Sequence, residues 1–162
     1  MLELAATEAT VVTCLGTFDA VDAAVAVGGA ACGRVAPDEA MLIVPVGRGA
    51  ELLAAVTEAA SAVDPNVLVV DTSDGWAIWT LLGTAEELDR ASARLSAMEI
   101  PDAGFCQGDL ARVPVKLFVA AGCVQIVVPA MWTAYLRERI LGRCASLRIH
   151  ERAEPHPWTG SP

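Results

Sequence analysis

The densest cluster of polar side chains in the 162-residue sequence is the run from Asp71 to Gly75, Asp-Thr-Ser-Asp-Gly, between two apolar segments. It presents two carboxylates beside hydroxyl groups, a combination used in acid–base chemistry. The same residue types also form turns, because Asp and Ser side chains bond nearby backbone amides and Gly adopts positive φ. The residues favour the turn, and such a turn could also contact a partner.

The two histidines lie at the end of the sequence, as His150 and His156. The body of the chain therefore lacks a side chain whose ordinary pKa suits a general base near neutral pH. Glycines at 47 and 49 do not match a dinucleotide-binding or P-loop pattern. From these residues we expect no catalytic, cofactor-binding or metal-binding residue in this chain.

The five cysteines lack the spacing of a zinc site and are odd in number, which predicts reduced, buried thiols. Four of them have apolar or small neighbours. The fifth, Cys106, lies in the run Gly104–Gly108, which we interpret as an exposed turn, so it is the cysteine to watch for reactivity. The cysteines are Cys14, Cys32, Cys106, Cys123 and Cys144.

Composition excludes several classes of partner. The chain has 20 acidic against 11 basic side chains, a net charge of −9, and no basic stripe with interleaved aromatics, so we expect no nucleic acid. No apolar run approaches the roughly 18 residues that span a bilayer, so we expect no membrane segment. The N-terminus has no basic region before an apolar one, which predicts a cytoplasmic protein.

Charge is unevenly distributed along the chain. Residues 1–109 carry 17 acids and 4 bases, whereas residues 110–162 carry 3 acids and 7 bases. A solvated surface accounts for this pattern, and so does docking of one end onto another subunit.

A strand–helix–strand pattern occurs twice. Residues 41–45 form an apolar run that ends at a proline and precedes a helix over 48–62. Cys123–Pro129 repeats this, with Trp132, Tyr135, Leu136 and Ile140 at helical spacing after it. Apolar runs at 67–70 and 146–149 then predict a closing strand in each copy.

The segments upstream of each copy also match. A strand at 9–15 and a helix from Phe18 correspond to a strand at 76–82 and a helix over 84–95, which Thr84 and Glu87 begin as a capping box. Residues 109–119 form one extended segment interrupted by Pro114, which favours an edge or a bulge. The predicted fold class is α+β, with two pseudo-repeated split β-α-β (βαββαβ, ferredoxin-like) units and antiparallel sheets.

We expect one domain over residues 1–150, made of halves at about 9–70 and 76–150. Residues 151–162 are rich in proline and predict an extended or disordered tail. The strand at 76–82 is apolar on both faces, so it lies in the interior or carries a sheet face that another subunit buries.

Several short motifs resemble one family. Asp38–Pro45 is similar to its acidic-then-aliphatic strand ending in proline, Val69–Asp74 to its Asp-Val-Ser-His turn, and Leu82–Thr84 to its glycine-led helix start. The match is completed by Ala111–Val115, Val127–Pro129 and the helix from Trp132 to Leu141. Over about residues 38–145 the chain resembles the gamma subunit of heterotetrameric sarcosine oxidase and the related folate-binding domain of the glycine-cleavage aminomethyltransferase, the T-protein.

The resemblance implies a non-catalytic subunit of a tetrahydrofolate-linked flavoenzyme complex that demethylates sarcosine or a related N-methyl amino acid. The resemblance places FAD, FMN, NAD and tetrahydrofolate in the larger alpha and beta flavoprotein subunits, not in this chain. The chain departs from the aminomethyltransferase where Asp74 replaces the histidine of the turn, and where paired acids are absent between Gly108 and Gly122.

Two alternatives stay open. A free-standing folate-binding protein of the T-protein class would need a pocket between the two copies with an acid that reaches the pterin ring, and Asp71 and Asp109 are the candidates. An interaction module outside one-carbon metabolism fits the composition equally well.

Overall fold

The computed structural model describes residues 1–158. Its α-helices are α1 (Phe18–Val25), α2 (Gly49–Ser61), α3 (Ala85–Leu95) and α4 (Thr133–Arg143). Its strands are β1 (Glu3–Leu15), β2 (Ala31–Ala36), β3 (Glu39–Pro45), β4 (Leu68–Asp71), β5 (Trp76–Leu82), β6 (Gly104–Leu110), β7 (Val113–Ala120), β8 (Cys123–Pro129), β9 (His150–Glu151) and β10 (His156–Pro157). None of the helices in these residues combines the length and apolar character that a membrane crossing needs.

The chain divides into two compact units. Unit 1 comprises Met1–Thr7 and Asp74–His156, and unit 2 comprises Glu8–Ser73 with Pro157 and Trp158 among the described residues. The strand β1 contributes its first residues to unit 1 and the rest to unit 2.

Unit 2 is a β-α-β-β-α-β unit whose sheet has the order β2-β3-β1-β4, with every pair antiparallel. Alternate strand residues such as Val12 and Leu42 pack against the buried residues Val21 of α1 and Val56 of α2. This strand order is the ferredoxin-like arrangement, and it confirms the fold class expected for the first half.

Unit 1 follows the same plan with one additional strand, β6, at the edge of its sheet. Its antiparallel sheet runs from the first part of β1 through β5, β8 and β7 to β6. Leu88 of α3 and Leu136 of α4 belong to a buried cluster with residues of these strands. The capping box of α3 is confirmed: Glu87 N–H donates to Thr84 Oγ1 at 3.3 Å, and Thr84 N–H donates to Glu87 Oε2 at 3.0 Å.

Residues 109–119 form a hairpin rather than the single extended segment expected from the sequence. The two turn residues, Ala111 and Arg112, have φ of 54° and 70°. Hairpin turns with positive φ normally use Asn or Gly, so Ala and Arg at these two positions did not predict a turn. The turn is held because Ala111 is buried and its N–H donates to Leu95 O at 2.6 Å. Pro114 lies outside the β7–β8 pairing, which starts at Lys116, so its missing N–H costs no bond in that ladder.

The strand predicted at residues 146–149 is wrong. Ala145–Leu147 form a 3-10 turn, and only β9 pairs there, in parallel with Glu3 and Leu4 of β1. Residues Glu3–Thr7 already occupy the edge of β5, where a closing strand would have to pair. The sequence placed the start of β1 at residue 9 because its first part includes Ala5 and Ala6, which are weak strand formers.

The tail predicted for residues 151–162 reaches beyond the described part of the chain, since residues 159–162 lie outside it. Glu151 is bound by Arg137 of α4, whose Nε donates to Glu151 Oε1 at 2.5 Å while a second guanidinium nitrogen contacts Oε2. These hydrogen bonds lower the pKa of Glu151 and raise that of Arg137. Trp158 is buried.

Candidate functional site

The polar run at residues 71–75 is a hydrogen-bonded turn. Asp71 Oδ1 accepts from the Ser73 hydroxyl at 2.5 Å and from the Ser73 amide at 2.9 Å. Ser73 Oγ accepts from Val11 N–H at 2.9 Å, and the hydroxyls of Thr72 and Thr13 are 2.8 Å apart. The Ser73 hydroxyl, followed by its amide, lowers the pKa of Asp71. The carboxylate of Asp71 therefore stabilises the end of β4 in its charged form.

The other two acids singled out from the sequence, Asp74 and Asp109, lie elsewhere. Asp74 is exposed in the 3-10 turn Ser73–Gly75. Asp109 is exposed near the end of β6 in unit 1, and its backbone carbonyl accepts from Ser96 Oγ at 2.7 Å. Asp71 and Asp109, the two candidates for a folate acid, thus belong to different units.

The glycines on either side of Cys106 predicted an exposed turn, but Cys106 does not lie in one. It is a half-buried residue of the strand β6 and packs against the core of unit 1. Burial raises the pKa of its thiol, which lowers the fraction of reactive thiolate near neutral pH. Burial likewise raises the pKa of the other four cysteines, Cys14, Cys32, Cys123 and Cys144, and all five thiols are free.

The strand β5 does not leave an open apolar face. Ala77, Trp79 and Leu81 pack against the core of unit 1, as alternate residues of one face should. On the opposite face Ile78 and Thr80 are also buried, with 6% and 0% of their surface exposed. Of the two alternatives for this face, the structure shows burial within the chain at Ile78 and Thr80, whereas Trp76 and Leu82 on the same face are half-buried.

Unit 1 contains a cavity of about 450 Å³ bordered by α3, the segment from Met98 to Asp102, and the turn between β7 and β8. Its walls are mostly aliphatic, with the carboxylates of Asp89 and Asp102 among the lining groups. Neither Asp71 nor Asp109 lines it, and no aromatic ring is present there to stack on a pterin. The lining of this cavity therefore lacks the two candidate acids and the aromatic ring expected at a pterin-binding site.

Potential metal ligands are dispersed. Within residues 1–158, no group of three or more His, Cys, Asp or Glu side chains is placed to hold a metal ion. His150 is exposed in β9, and His156 is half-buried at the start of β10.

The main exposed apolar feature of unit 1 is the start of α4. Met131, Trp132 and Tyr135 have 83%, 41% and 38% of their surface exposed. The rings of Trp132 and Tyr135 meet edge to face with centroids 5.8 Å apart, and the guanidinium of Arg139 lies 5.4 Å from the Tyr135 centroid. We call these four residues the aromatic surface.

The sequence placed Trp132 and Tyr135 at the same helical spacing as Leu136 and Ile140, but only the latter two are buried. The buried and exposed residues differ in the direction in which their side chains leave the helix axis. Adjacent helix residues differ in direction by about 100°, so Tyr135 cannot share the core-facing direction of Leu136. The start of α4 is held in place by Trp79, whose indole N–H donates to Thr133 Oγ1 at 3.0 Å.

No protein-family profile matches the chain, and no curated protein matches it by sequence. Among solved structures, a chain of the heterotetrameric sarcosine oxidase from Corynebacterium sp. U-96, in complex with pyrrole 2-carboxylate, is similar with a TM-score of 0.72 and 20% identity. That likeness covers 94% of this chain and 88% of the other.

The glycine cleavage system aminomethyltransferase T from Bartonella henselae is also similar, with a TM-score of 0.66 and 14% identity. Here the likeness covers 93% of this chain but 47% of the other, so this chain spans about half of that enzyme. At such identities the similarity shows the fold, and the resemblance expected from the sequence is confirmed at that level. The chain has the fold of a sarcosine oxidase chain of similar length, and that fold recurs in about half of an aminomethyltransferase.

Proposed function

We propose that this chain is a non-catalytic, gamma-type subunit of a sarcosine-oxidase-like, tetrahydrofolate-linked flavoenzyme complex. In this complex, sarcosine or a related N-methyl amino acid is oxidatively demethylated. One observation carries the proposal: the shared fold extends over nearly the full length of both this chain and a chain of the heterotetrameric enzyme. A chain that shares the fold and nearly the length of another chain can take the corresponding position in a similar assembly.

The state of the candidate side chains supports a non-catalytic role. The carboxylate of Asp71 is engaged by Ser73, and burial raises the pKa of the Cys106 thiol. A nucleophile or general base must instead be reachable and have a pKa near the working pH. On this proposal FAD, FMN, NAD and tetrahydrofolate are bound by the larger alpha and beta flavoprotein subunits, and the complex is cytoplasmic.

The aromatic surface is the part of unit 1 that we propose contacts a larger flavoprotein subunit. Trp, Tyr, Met and Arg are the residue types enriched at the centres of protein interfaces. The Trp132–Tyr135 pair and the stacked Arg139 hold one another in place, so little side-chain freedom is lost on binding. Residues 110–162 also carry the excess of basic groups in an otherwise acidic chain, which suits an acidic partner surface.

Co-expression tests the proposal. The chain is produced with the flavoprotein subunits encoded beside it, and purification by a tag on this chain should recover them in a fixed ratio with bound flavin. Recovery of the chain alone, under conditions where the flavoproteins fold and carry flavin, contradicts the proposal. Tight tetrahydrofolate binding by the lone chain would instead favour the free-standing folate-binding protein.

The aromatic surface is tested within the purified complex. Replacing Trp132 and Tyr135 together by Ser should weaken the affinity for the partner by about tenfold or more, because two central anchors are lost. The matched control is Val63→Ser in unit 2, which removes an apolar side chain of similar exposure, 49%, from a different place. Equal affinities of both variants, with unchanged circular dichroism, would exclude the aromatic surface as the contact while leaving the complex itself intact.

A further inference from the structure

A second surface of unit 1 concentrates positive charge. A cleft of about 440 Å³ lies at the C-terminal end of α3, and Arg94, Arg112 and Arg143 line it. Asp109 is the one acidic residue among its lining groups. We call this the arginine cleft.

The charge of the cleft is opposite to that of the chain. Only 11 Lys and Arg residues oppose 20 acids in the whole sequence, yet three of the cations border this cleft. Three guanidinium charges and one carboxylate leave a formal surplus of two positive charges there. The C-terminal end of α3 offsets this by about half a charge. The remainder suits an anion of one to two negative charges.

Two of the arginines are held by contacts that leave donors free. Arg143 Nη1 donates to the backbone carbonyl of Arg94 at 3.1 Å, and Arg94 Nη1 donates to Ser146 Oγ. A guanidinium carries five N–H donors in a rigid fork, so each retains several for a ligand. Arg112 makes no hydrogen bond or ion pair with any residue of the described range 1–158.

The backbone places Arg112 at the cleft in an unusual conformation. Its φ is 70°, in the left-handed region where Gly or Asn is the ordinary choice for a hairpin turn. The preceding Ala111 is buried, and its N–H donates to Leu95 O at the end of α3. The turn is thereby fixed against the same helix end that bears Arg94, which directs a long cationic side chain to the lining of the cleft.

We propose that the arginine cleft binds the phosphate group of a small-molecule ligand. Planar guanidinium groups bind phosphate oxygens through paired hydrogen bonds, and a phosphate dianion matches the charge surplus. The cleft is shallow and lies within unit 1, so it contacts the phosphate group of the ligand and does not enclose the rest of the molecule. The inference does not depend on the proposed function, because it concerns a different surface and needs no partner chain.

Binding is measured on the full-length chain by calorimetric titration with inorganic phosphate, against chloride at equal ionic strength. Saturable binding is expected. Arg112→Gln should weaken it by about tenfold, because the least constrained cation is lost. Asp109→Asn should strengthen it by about threefold, because a repelling carboxylate is removed. Succinate, a dianion without tetrahedral oxygens, should bind more weakly than phosphate.

The control is Arg148→Gln. Arg148 also has a positive φ, 55°, and belongs to unit 1, but it does not line the cleft. Its replacement should change phosphate affinity by less than about twofold. Arg112→Gly provides a second loss variant in which the turn is unstrained, so misfolding cannot account for lost binding.

Three results would overturn the inference. The first is the absence of saturation by phosphate in the wild-type chain. The second is an affinity that Arg112→Gln and Arg112→Gly leave unchanged, or that Arg148→Gln lowers equally. The third is tighter binding of succinate than of phosphate.

Discussion

Helices α2 and α4 occupy corresponding positions in the two units, since each follows a strand that ends at a proline, Pro45 or Pro129. Both bury apolar residues against their own sheets, but their outer surfaces differ. The exposed residues of α2 include Glu51, Thr57 and Glu58. The exposed apolar residues beside α2 are the aliphatic Val46 and Val63, whereas α4 begins beside the exposed Met131, Trp132 and Tyr135. The shared pattern of core residues maintains the fold in both units, and the outer residues are free to differ. This difference supports placing the proposed partner contact on unit 1.

The first helix of each unit shows a similar contrast. α3 begins with a complete capping box, whereas Thr17 before α1 makes no side-chain cap. Thr17 instead donates its backbone N–H to Asp64 Oδ2 at 3.1 Å. The corresponding helix starts are stabilised by different means in units of the same plan.

The largest effect is expected for the buried leucines of α2 and α4. Leu136→Ala and Leu52→Ala should each lower the free energy of unfolding by about 2–5 kcal/mol, because each leaves a cavity in a core. Tyr135→Ala, one residue from Leu136, should cost about 1 kcal/mol or less, since it loses only an exposed ring pair. Urea denaturation checks this, and a Tyr135 variant as unstable as the Leu136 variant would make the aromatic surface part of the core.

Glycines of the same two helices should respond in opposite directions. A Cβ on Gly49 of α2 would meet Thr10 Cγ2 at 2.5 Å, so Gly49→Ala should lower the free energy of unfolding by about 1–3 kcal/mol. A Cβ on Gly142 of α4 meets nothing within 4 Å, so Gly142→Ala should raise it by about 0.5–1 kcal/mol. Thermal unfolding of both variants measures the signs, and a shared sign would contradict the difference in packing.

A smaller difference in the free energy of unfolding is expected between substitutions at the N-terminal ends of α3 and α1. Thr84→Ala should lower the free energy of unfolding by about 1 kcal/mol, because it removes the cap of α3. Thr17→Ala should cost about half of that or less, since no side-chain cap is lost from α1. Chemical denaturation of the pair tests the comparison, and equal losses would show that Thr17 stabilises α1 by another route.

The smallest expected effect is on pH dependence in unit 2. The folded-state pKa of Asp71 is lowered, so the carboxylate adds stability that is present above its unfolded pKa of about 3.9 and is lost as pH falls through the lower, folded value. Asp71→Asn should flatten the acid side of the stability profile slightly. Denaturation midpoints between about pH 5 and pH 2 provide the measurement, with the exposed Asp74→Asn as control.

Local patterns accounted for much of the architecture. The strands at 76–82 and 123–129 agree with β5 and β8, and the α3 capping box was readable because Thr84 and Glu87 interact within one turn of helix. The hairpin turn at Ala111 and Arg112 could not be predicted from the sequence. Its positive φ values are stabilised by a hydrogen bond to Leu95, which is distant in sequence.

The two candidate surfaces also depend on features that local sequence patterns do not predict. Trp132 and Tyr135 were noticed as apolar residues, but their exposure depends on how α4 is rotated against its sheet. The arginine cleft joins Arg94, Arg112 and Arg143, which are far apart in the sequence, and no local pattern connects them.

By itself, the sequence determined the α+β class, the repeated order of elements and the absence of a histidine from the body of the chain. Hydrophobic periodicity and helix caps act over a few residues, so they can be read from a single chain. Only the tertiary structure decided that Glu3–Thr7 fills the edge of β5, that Ile78 and Thr80 of β5 are buried, and that Asp71 is engaged by its own turn. Strand edges and surface exposure depend on which distant segments pack together, because competing segments pair with the same edge and only their relative free energies choose between them.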